Sequence, residues 1–232
     1  MPDRPVTLIT GTSRGVGRFL AEHYVERGHV VVGCSRGPQD WSHERYEHHA
    51  LDVADEDSVQ RLFARVRTRG RLDHVVNNAG VAMLNHALLT PASAVASTLA
   101  TNVLGTFLVC REAARAMRRR RFGRIVNLST TAVPLKLEGE ASYAASKAAV
   151  VSLTEVLARE LAPFGVTVNA VGPGPLDTDL TRGVPRATLD RLLDRHALRR
   201  LTTFADVANV VDFLLAPESG MVTGQTVYLG GP

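Results

Sequence analysis

The sequence predicts an α/β fold in which a parallel sheet is covered by helices on both faces. Two observations predict it. Short β-branched runs alternate with longer amphipathic stretches along the chain, and the first of these runs ends in a glycine-rich turn that opens onto a helical pattern. A length of 232 residues with 45% hydrophobic content lies within the range of one globular domain, expected over 1–232, and a second is not required.

The strand candidates in order are VTLIT (6–10), HVVVGC (29–34), HHAL (48–51), DHVVNN (73–78), GRIVNL (123–128), VTVNAV (166–171) and TVYLG (226–230). Amphipathic stretches stand between them at 16–27, 55–69, 92–119, 142–162 and 204–215. Residues 179–203 form the most polar long connection. Being long and late in the chain, it is the candidate substrate lid. The N-terminus lacks a signal-like apolar region, and no run approaches ~18 apolar residues, so the chain reads as cytoplasmic with no membrane span.

The pI of about 9.5 raises the question of nucleic acid, which the run Arg118–Arg121 sharpens. That run closes a helical stretch, where cations favour the helix dipole, and no aromatic residues interleave with it as a stacking platform would need; no nucleic-acid partner is expected. His43, His48 and His49 lack the further ligand spacing of a metal site, so none is expected. Cys34 and Cys110 are distant and apolar in context, which predicts buried, inert thiols.

The turn TGTSRGVG points to a dinucleotide. Gly11 permits the tight bend, Gly15 lets a pyrophosphate approach backbone N–H groups at the helix N-terminus, and Gly17 allows close helix packing. At the end of the second strand an NAD site would carry a carboxylate. This chain has Ser35 and Arg36 instead, and Arg14 in the turn can reach the same place, a combination suited to the 2′-phosphate of NADP. Asp52, after the third strand, offers a carboxylate to the adenine amino group. Tyr143 and Lys147 are i and i+4 on a helix and share a face, so the ammonium is expected to lower the phenol's pKa from about 10.

TGxxxGxG at 10–17, NNAG at 77–80, TNVLGTF at 101–107, Tyr143-x-x-x-Lys147, VNAVGPGPLDTDL at 168–180 and VTGQTVYLGG at 222–231 together resemble the short-chain dehydrogenase/reductase family, within it the single-domain oxoacyl-carrier-protein-reductase-like branch. The resemblance implies a Rossmann-type three-layer sandwich with a seven-stranded parallel sheet. It implies that NADP(H) is held by Ser13 and Val16 beside the glycines, by Val53, by Asn78, Ala79 and Gly80, by Pro173, Gly174, Leu176 and Thr178, and by Tyr143 and Lys147. It also implies that Asn102 holds a water linking Lys147 to solvent.

Relatives of this branch carry a catalytic serine thirteen residues before the tyrosine, a position held here by Thr130. Strand alternation agrees: Ser129 shares the parity of Ile125 and Asn127, and Thr130 faces the other way. The alternatives are that Ser129 takes the role through a strand-end irregularity, or that activity is impaired.

The function so implied is NADPH-dependent reduction of a ketone or oxoacyl carbonyl with Tyr143 as proton donor. The rivals are an NADP-dependent alcohol dehydrogenase working oxidatively and a non-catalytic NADP-binding sensor. Substrate contacts are expected near 83–90, 132–142 and 175–203. A carrier-protein-bound substrate would need a basic dock, and Phe164 stands where relatives often have one, with Arg121 the remaining candidate. A homo-oligomer, tetramer or dimer, is expected from the apolar faces of 92–119 and 142–162, including Val150, Leu153 and Leu157.

Overall fold

The structure is a computed structural model that describes residues 4–177 and 186–232; Thr178 and the first part of the expected lid lie outside the described residues. The chain runs β1 (Val6–Thr10), α1 (Gly15–Glu26), β2 (Val30–Ser35), β3 (Tyr46–Ala50), α2 (Glu56–Thr68), β4 (His74–Asn77), α3 (Ala92–Leu99), α4 (Gly105–Met117), β5 (Gly123–Leu128), α5 (Ala132–Leu135), α6 (Ala141–Leu161), β6 (Val166–Gly172), α7 (Arg186–Leu193), α8 (Phe204–Leu215) and β7 (Thr226–Tyr228). The seven strands pair in the order β3-β2-β1-β4-β5-β6-β7, every pair parallel. Strand order reverses between β1 and β4, and such a reversal opens a crevice at the carboxyl ends of those two strands.

Alternation along each strand builds two apolar layers. Leu8, Val32, Val75, Ile125 and Val168 pack with α2, α4 and α6. Ile9, Val31, Val76, Val126 and Val171 pack on the opposite side with α1 and α8. Cys34 and Cys110 are fully buried, and burial pushes both thiols up to about 12, which makes them inert as expected.

Three expectations change. Residues 92–119 form a helical run interrupted by a π-helical turn, Ala100–Leu104. The run Ala92–Met117, with mean hydropathy 1.5, is long and apolar enough to cross a membrane, contrary to the sequence reading. Here its buried residues, Leu108, Val109, Ala113 and Met117 among them, belong to the core, because a helix covering a hydrophobic sheet needs the same composition as a span. Finally, Val150 and Leu157 face the protein's own interior. The exposed apolar side chains of these helices are Leu99, Leu104, Phe107 and Val156.

Helix α4 ends at Met117, and the arginine run follows at its C-terminus. There Arg120 Nη1 donates to the buried carboxylate of Asp73 at 3.2 Å. At the other end of the sheet the β1–α1 turn is seated against the end of β4. Asn78 Nδ2 donates to the carbonyls of Thr10 and Gly11 at 2.9 and 3.2 Å, and the Thr10 hydroxyl accepts from the amides of Asn78 and Ala79 at 3.1 and 2.9 Å. A Cβ at Gly17 would fall 2.2 Å from the Gly11 carbonyl oxygen and 2.4 Å from Asn78 Nδ2. Gly17→Ala should therefore cost about 1–3 kcal/mol through overpacking. Gly15→Ala, where a Cβ meets nothing within 4 Å and only the φ of +60° is strained, should cost about 1–2 kcal/mol. Denaturant midpoints of the two variants check the order.

Candidate active site

The glycine turn brings α1 to the crevice with its first N–H groups free of any side-chain cap: Arg14, at the N-cap, makes no capping bond and the first turn carries no acidic residue. Uncapped amides at a helix N-terminus are donors awaiting an anion. Open space over Gly15 completes the cradle. The residues present thus fit a pyrophosphate, with Ser13 and Val16 on the same turn and Asn78, Ala79 and Gly80 on the facing β4 end.

At the end of β2 the structure departs from the sequence reading in one respect. Ser35 is buried, with its hydroxyl engaged by Gly37 O at 3.1 Å and His48 Nε2 at 2.8 Å. Its hydrogen-bonding capacity is largely spent inside the protein. Arg14 and Arg36 are exposed, and neither forms an ion pair among the described residues. Arg14 and Arg36 are thus the exposed cations of the β1–α1 turn and the β2 end. The sequence weighed His48 only as a metal ligand, because its link to Ser35 comes from the β2–β3 pairing, which sets Gly33 beside His48. Asp52 accepts from the Ala54 amide at 2.9 Å, which leaves its second oxygen for a ligand. Val53 packs on Gly105, where a Cβ would lie 2.7 Å from its Cγ2.

The four catalytic candidates come from three elements: the π-helical turn, the end of β5 and α6. Lys147, buried on α6, donates from Nζ to the Leu128 carbonyl at the end of β5, 2.6 Å away. Burial lowers its pKa to about 8. Asn102 lies within the π-helical turn, fully buried. Its Oδ1 accepts from the Val81 amide at 2.8 Å, and its Nδ2 donates to Val81 O and Ser146 Oγ, both at 2.9 Å. Both amide protons are spent and the oxygen is engaged, so its side chain clamps three segments. Ser146 had no signal of its own in the sequence, standing as one more small residue between Tyr143 and Lys147. Gly80 bridges the pair: a Cβ there would be 3.2 Å from Asn102 Oδ1 and 3.4 Å from Lys147 Nζ.

The two hydroxyls of the β5 end point apart. Ser129, 4% exposed, donates to the Lys147 carbonyl at 3.4 Å and so faces the backbone of α6. The Thr130 side chain acts on the Tyr143 phenol, favouring its ionised form, and Thr130 Oγ1 accepts from the Ala132 amide at 3.2 Å. The phenol's pKa is nevertheless raised, to about 12, chiefly by burial, with Glu140 adding to the rise and Thr130 opposing it. This reverses the expected lowering: Lys147 is not among the groups that shift the phenol, since its ammonium is turned to Leu128 O, and desolvation prevails. Pro173 joins the site by accepting from the Thr131 amide at 3.0 Å, while Leu176 pairs with Thr202 beside Gly174.

Comparison with known proteins agrees with this fold. A family model described as enoyl-(acyl carrier protein) reductase matches residues 11–231. The 3-oxoacyl-(acyl-carrier-protein) reductase FabG of Vibrio cholerae is 33% identical over 97% of this chain and 96% of its own length, and that of Escherichia coli K12 is likewise 33% identical over the same shares. Among solved structures, ElxO with NADP bound superposes with a TM-score of 0.90 at 28% identity over 97% of each chain. A 3-oxoacyl-(acyl-carrier-protein) reductase from Brucella melitensis gives 0.87 at 31% identity, over 98% of this chain and 91% of the other.

The depressed pKa of Lys147 has a measurable consequence. Between about pH 8 and 10.5 the unfolded chain holds the lysine proton and the folded protein does not, so stability contributed by this group rises with pH across that window. Against Lys147→Met, which leaves Leu128 O unpaired at every pH, the wild type should gain up to about 3 kcal/mol between those limits. Guanidinium unfolding of both proteins at several pH values measures it.

Proposed function

The chain belongs to the short-chain dehydrogenase/reductase family, and on that premise we propose that it reduces a ketone or 3-oxoacyl carbonyl to the alcohol, with Tyr143 as proton donor. It is an NADP-dependent short-chain oxidoreductase, and its cofactor is NADP(H). NADPH, when bound, supplies the hydride.

This chain's residues supply the rest. Gly11, Ser13, Gly15, Val16 and the α1 amides receive the pyrophosphate; Arg14 and Arg36 pair with the 2′-phosphate, and Asp52 with the adenine amino group. Thr130 donates its hydroxyl to the substrate oxygen and orients it. Tyr143 releases its proton to that oxygen as negative charge develops. A buried phenol with a raised pKa suits this direction, because it stays protonated until an acceptor as basic as an alkoxide appears. Lys147, near pH 8 half protonated, returns a proton to the phenol, and Asn102 holds the backbone of Val81 and the side chain of Ser146 so that the supply remains in register.

The observation that carries this reading is that Ser129 is turned to the α6 backbone, where it donates to the Lys147 carbonyl, while Thr130 is the hydroxyl that acts on the Tyr143 phenol. Assays of NADPH oxidation with ketones and 3-oxoacyl thioesters test the activity itself. Thr130→Val should lower kcat about 10²-fold or more, the scale of deleting a bond aimed at developing charge, with NADPH affinity kept. Thr130→Ser should remain active, and Ser129→Ala should be mild. An inert Thr130→Val beside a crippling Ser129→Ala would move the role to Ser129.

Two finer statements belong to the same proposal. Wild-type kcat/KM should favour NADPH over NADH, and Arg36→Asp should shift that ratio toward NADH by removing one guanidinium and repelling the 2′-phosphate; equal or better use of NADH by the wild type would refute the assignment of Arg14 and Arg36. The exposed Leu104, Phe107 and Val156 supply an apolar surface for self-association as a dimer or tetramer, and sedimentation at micromolar concentration should return an oligomer.

A further inference from the structure

Outside the groups given a role above, one buried imidazole lies between α7, the Thr130 loop and the backbone at Gly174 and Gly230. His196 is 4% exposed and follows α7. Its Nδ1 lies 3.0 Å from the carbonyl oxygen of Leu192, on α7, and its Nε2 lies 3.1 Å from Thr131 Oγ1, the residue after Thr130. A carbonyl only accepts, so Nδ1 carries the proton and Nε2 receives the Thr131 hydroxyl. The ring is also confined on two further sides: a Cβ at Gly230 would stand 3.1 Å from its Cδ2, and one at Gly174 would stand 3.4 Å from Nε2. A second tie runs in parallel, since Arg195 Nη2 donates to the Leu135 carbonyl at 2.6 Å. Arg195 and His196 thus hold the two ends of α5, the short helix that Thr130 leads into.

We propose that His196 is a positioning residue that clasps the α7 segment onto the loop carrying Thr130, so that the seating of the substrate-side segment and the aim of the Thr130 hydroxyl are set together. Its kinetic consequence rests on the reductase reading above; the clasp itself does not. Thr131 is held at its amide by Pro173 O and at its hydroxyl by His196, and Thr130 Oγ1 accepts from the amide of Ala132 immediately beyond. Releasing the Thr131 hydroxyl frees the turn between them, and the Thr130 side chain moves with that turn. Among the described residues the ring hydrogen-bonds Leu192 O and Thr131 Oγ1 and none of Thr130, Tyr143, Lys147 or Asn102, which distinguishes positioning from direct catalysis.

The two arms can be separated by side-chain length. In His196→Asn the amide stands where Nδ1 was and keeps the Leu192 bond while losing Thr131; in His196→Gln it reaches the Nε2 position and keeps Thr131. The measurements are kcat and KM for a reducible ketone at saturating NADPH, NADPH affinity by fluorescence, and hydrogen exchange at the amides of Val133 and Leu135, which bond within this turn to Thr130 O and Thr131 O. His196→Asn should lower kcat/KM roughly three- to tenfold and speed exchange at both amides, with NADPH affinity unchanged within about twofold. His196→Gln should recover most of both. Thr131→Val should match His196→Asn, and the double variant should lose no more than either alone.

Wild-type kinetics and exchange in His196→Asn, or fully additive losses in the double variant, would overturn the clasp and leave the ring as a space filler. Should the wild type reduce no ketone, exchange still decides: faster exchange in His196→Asn with recovery in His196→Gln upholds the clasp while the reductase reading falls, and unchanged exchange overturns the clasp as well.

Discussion

The bond from Lys147 Nζ to the Leu128 carbonyl is the contact on which the candidate site depends. It joins a buried ammonium on α6 to the last residue of β5, and the Ser129 hydroxyl returns to the Lys147 carbonyl one residue on. Farther along the same helix the Asn127 amide donates to Thr154 Oγ1 at 2.9 Å, so α6 is fastened to β5 at two levels. With helix and strand end so fixed, Tyr143, one turn before Lys147, has no choice but to lie over the far side of the β5 end, where Thr130 is. Burying the lysine is costly, which its depressed pKa records; the gain is a register between two elements that apolar packing alone would leave free to slide.

A second constraint acts at the crevice. Neither Gly11 nor Gly17 leaves room for a Cβ, because Asn78 lies against both. The close seating of the β1–α1 turn on the β4 end is what turns the reversal of strand order into a cradle lined by backbone amides. Asn78 serves here as structure, with its side-chain donors spent on Thr10 and Gly11 carbonyls. The binding surface of such a site is then largely main chain, and the side chains behind it act by shaping that surface.

Polar side chains elsewhere around the crevice follow the same pattern. Asn102 binds Val81 to Ser146, His48 binds Ser35, and His196 binds Leu192 to Thr131. Each is buried or half-buried, and a buried polar group must find a partner or impose a penalty. Here each one's partner lies in another segment, so satisfying it sets the relative position of loops that carry the exposed groups. The site is held in shape by polar bonds between loops, over a sheet whose apolar layers hold only the elements beneath.

The sequence by itself determined the features that depend on local geometry. The alternation of β-branched and amphipathic runs named all seven strands to within two residues at each end, and the i, i+4 spacing put Tyr143 and Lys147 on one face. Strand parity turned Thr130 away from Ser129, since side-chain direction along an extended chain alternates whatever surrounds it. Only the tertiary structure decided which groups meet. The π-helical turn at Ala100–Leu104, the partners of Asn102, the commitment of Ser35 to His48 and the inward facing of Val150 and Leu157 all arise between segments far apart in the chain. The direction of the Tyr143 pKa belongs with them. Spacing told that a lysine was near, but whether its charge or the loss of water prevails is set by the aim of the ammonium and the depth of burial, and neither quantity exists until the elements have packed.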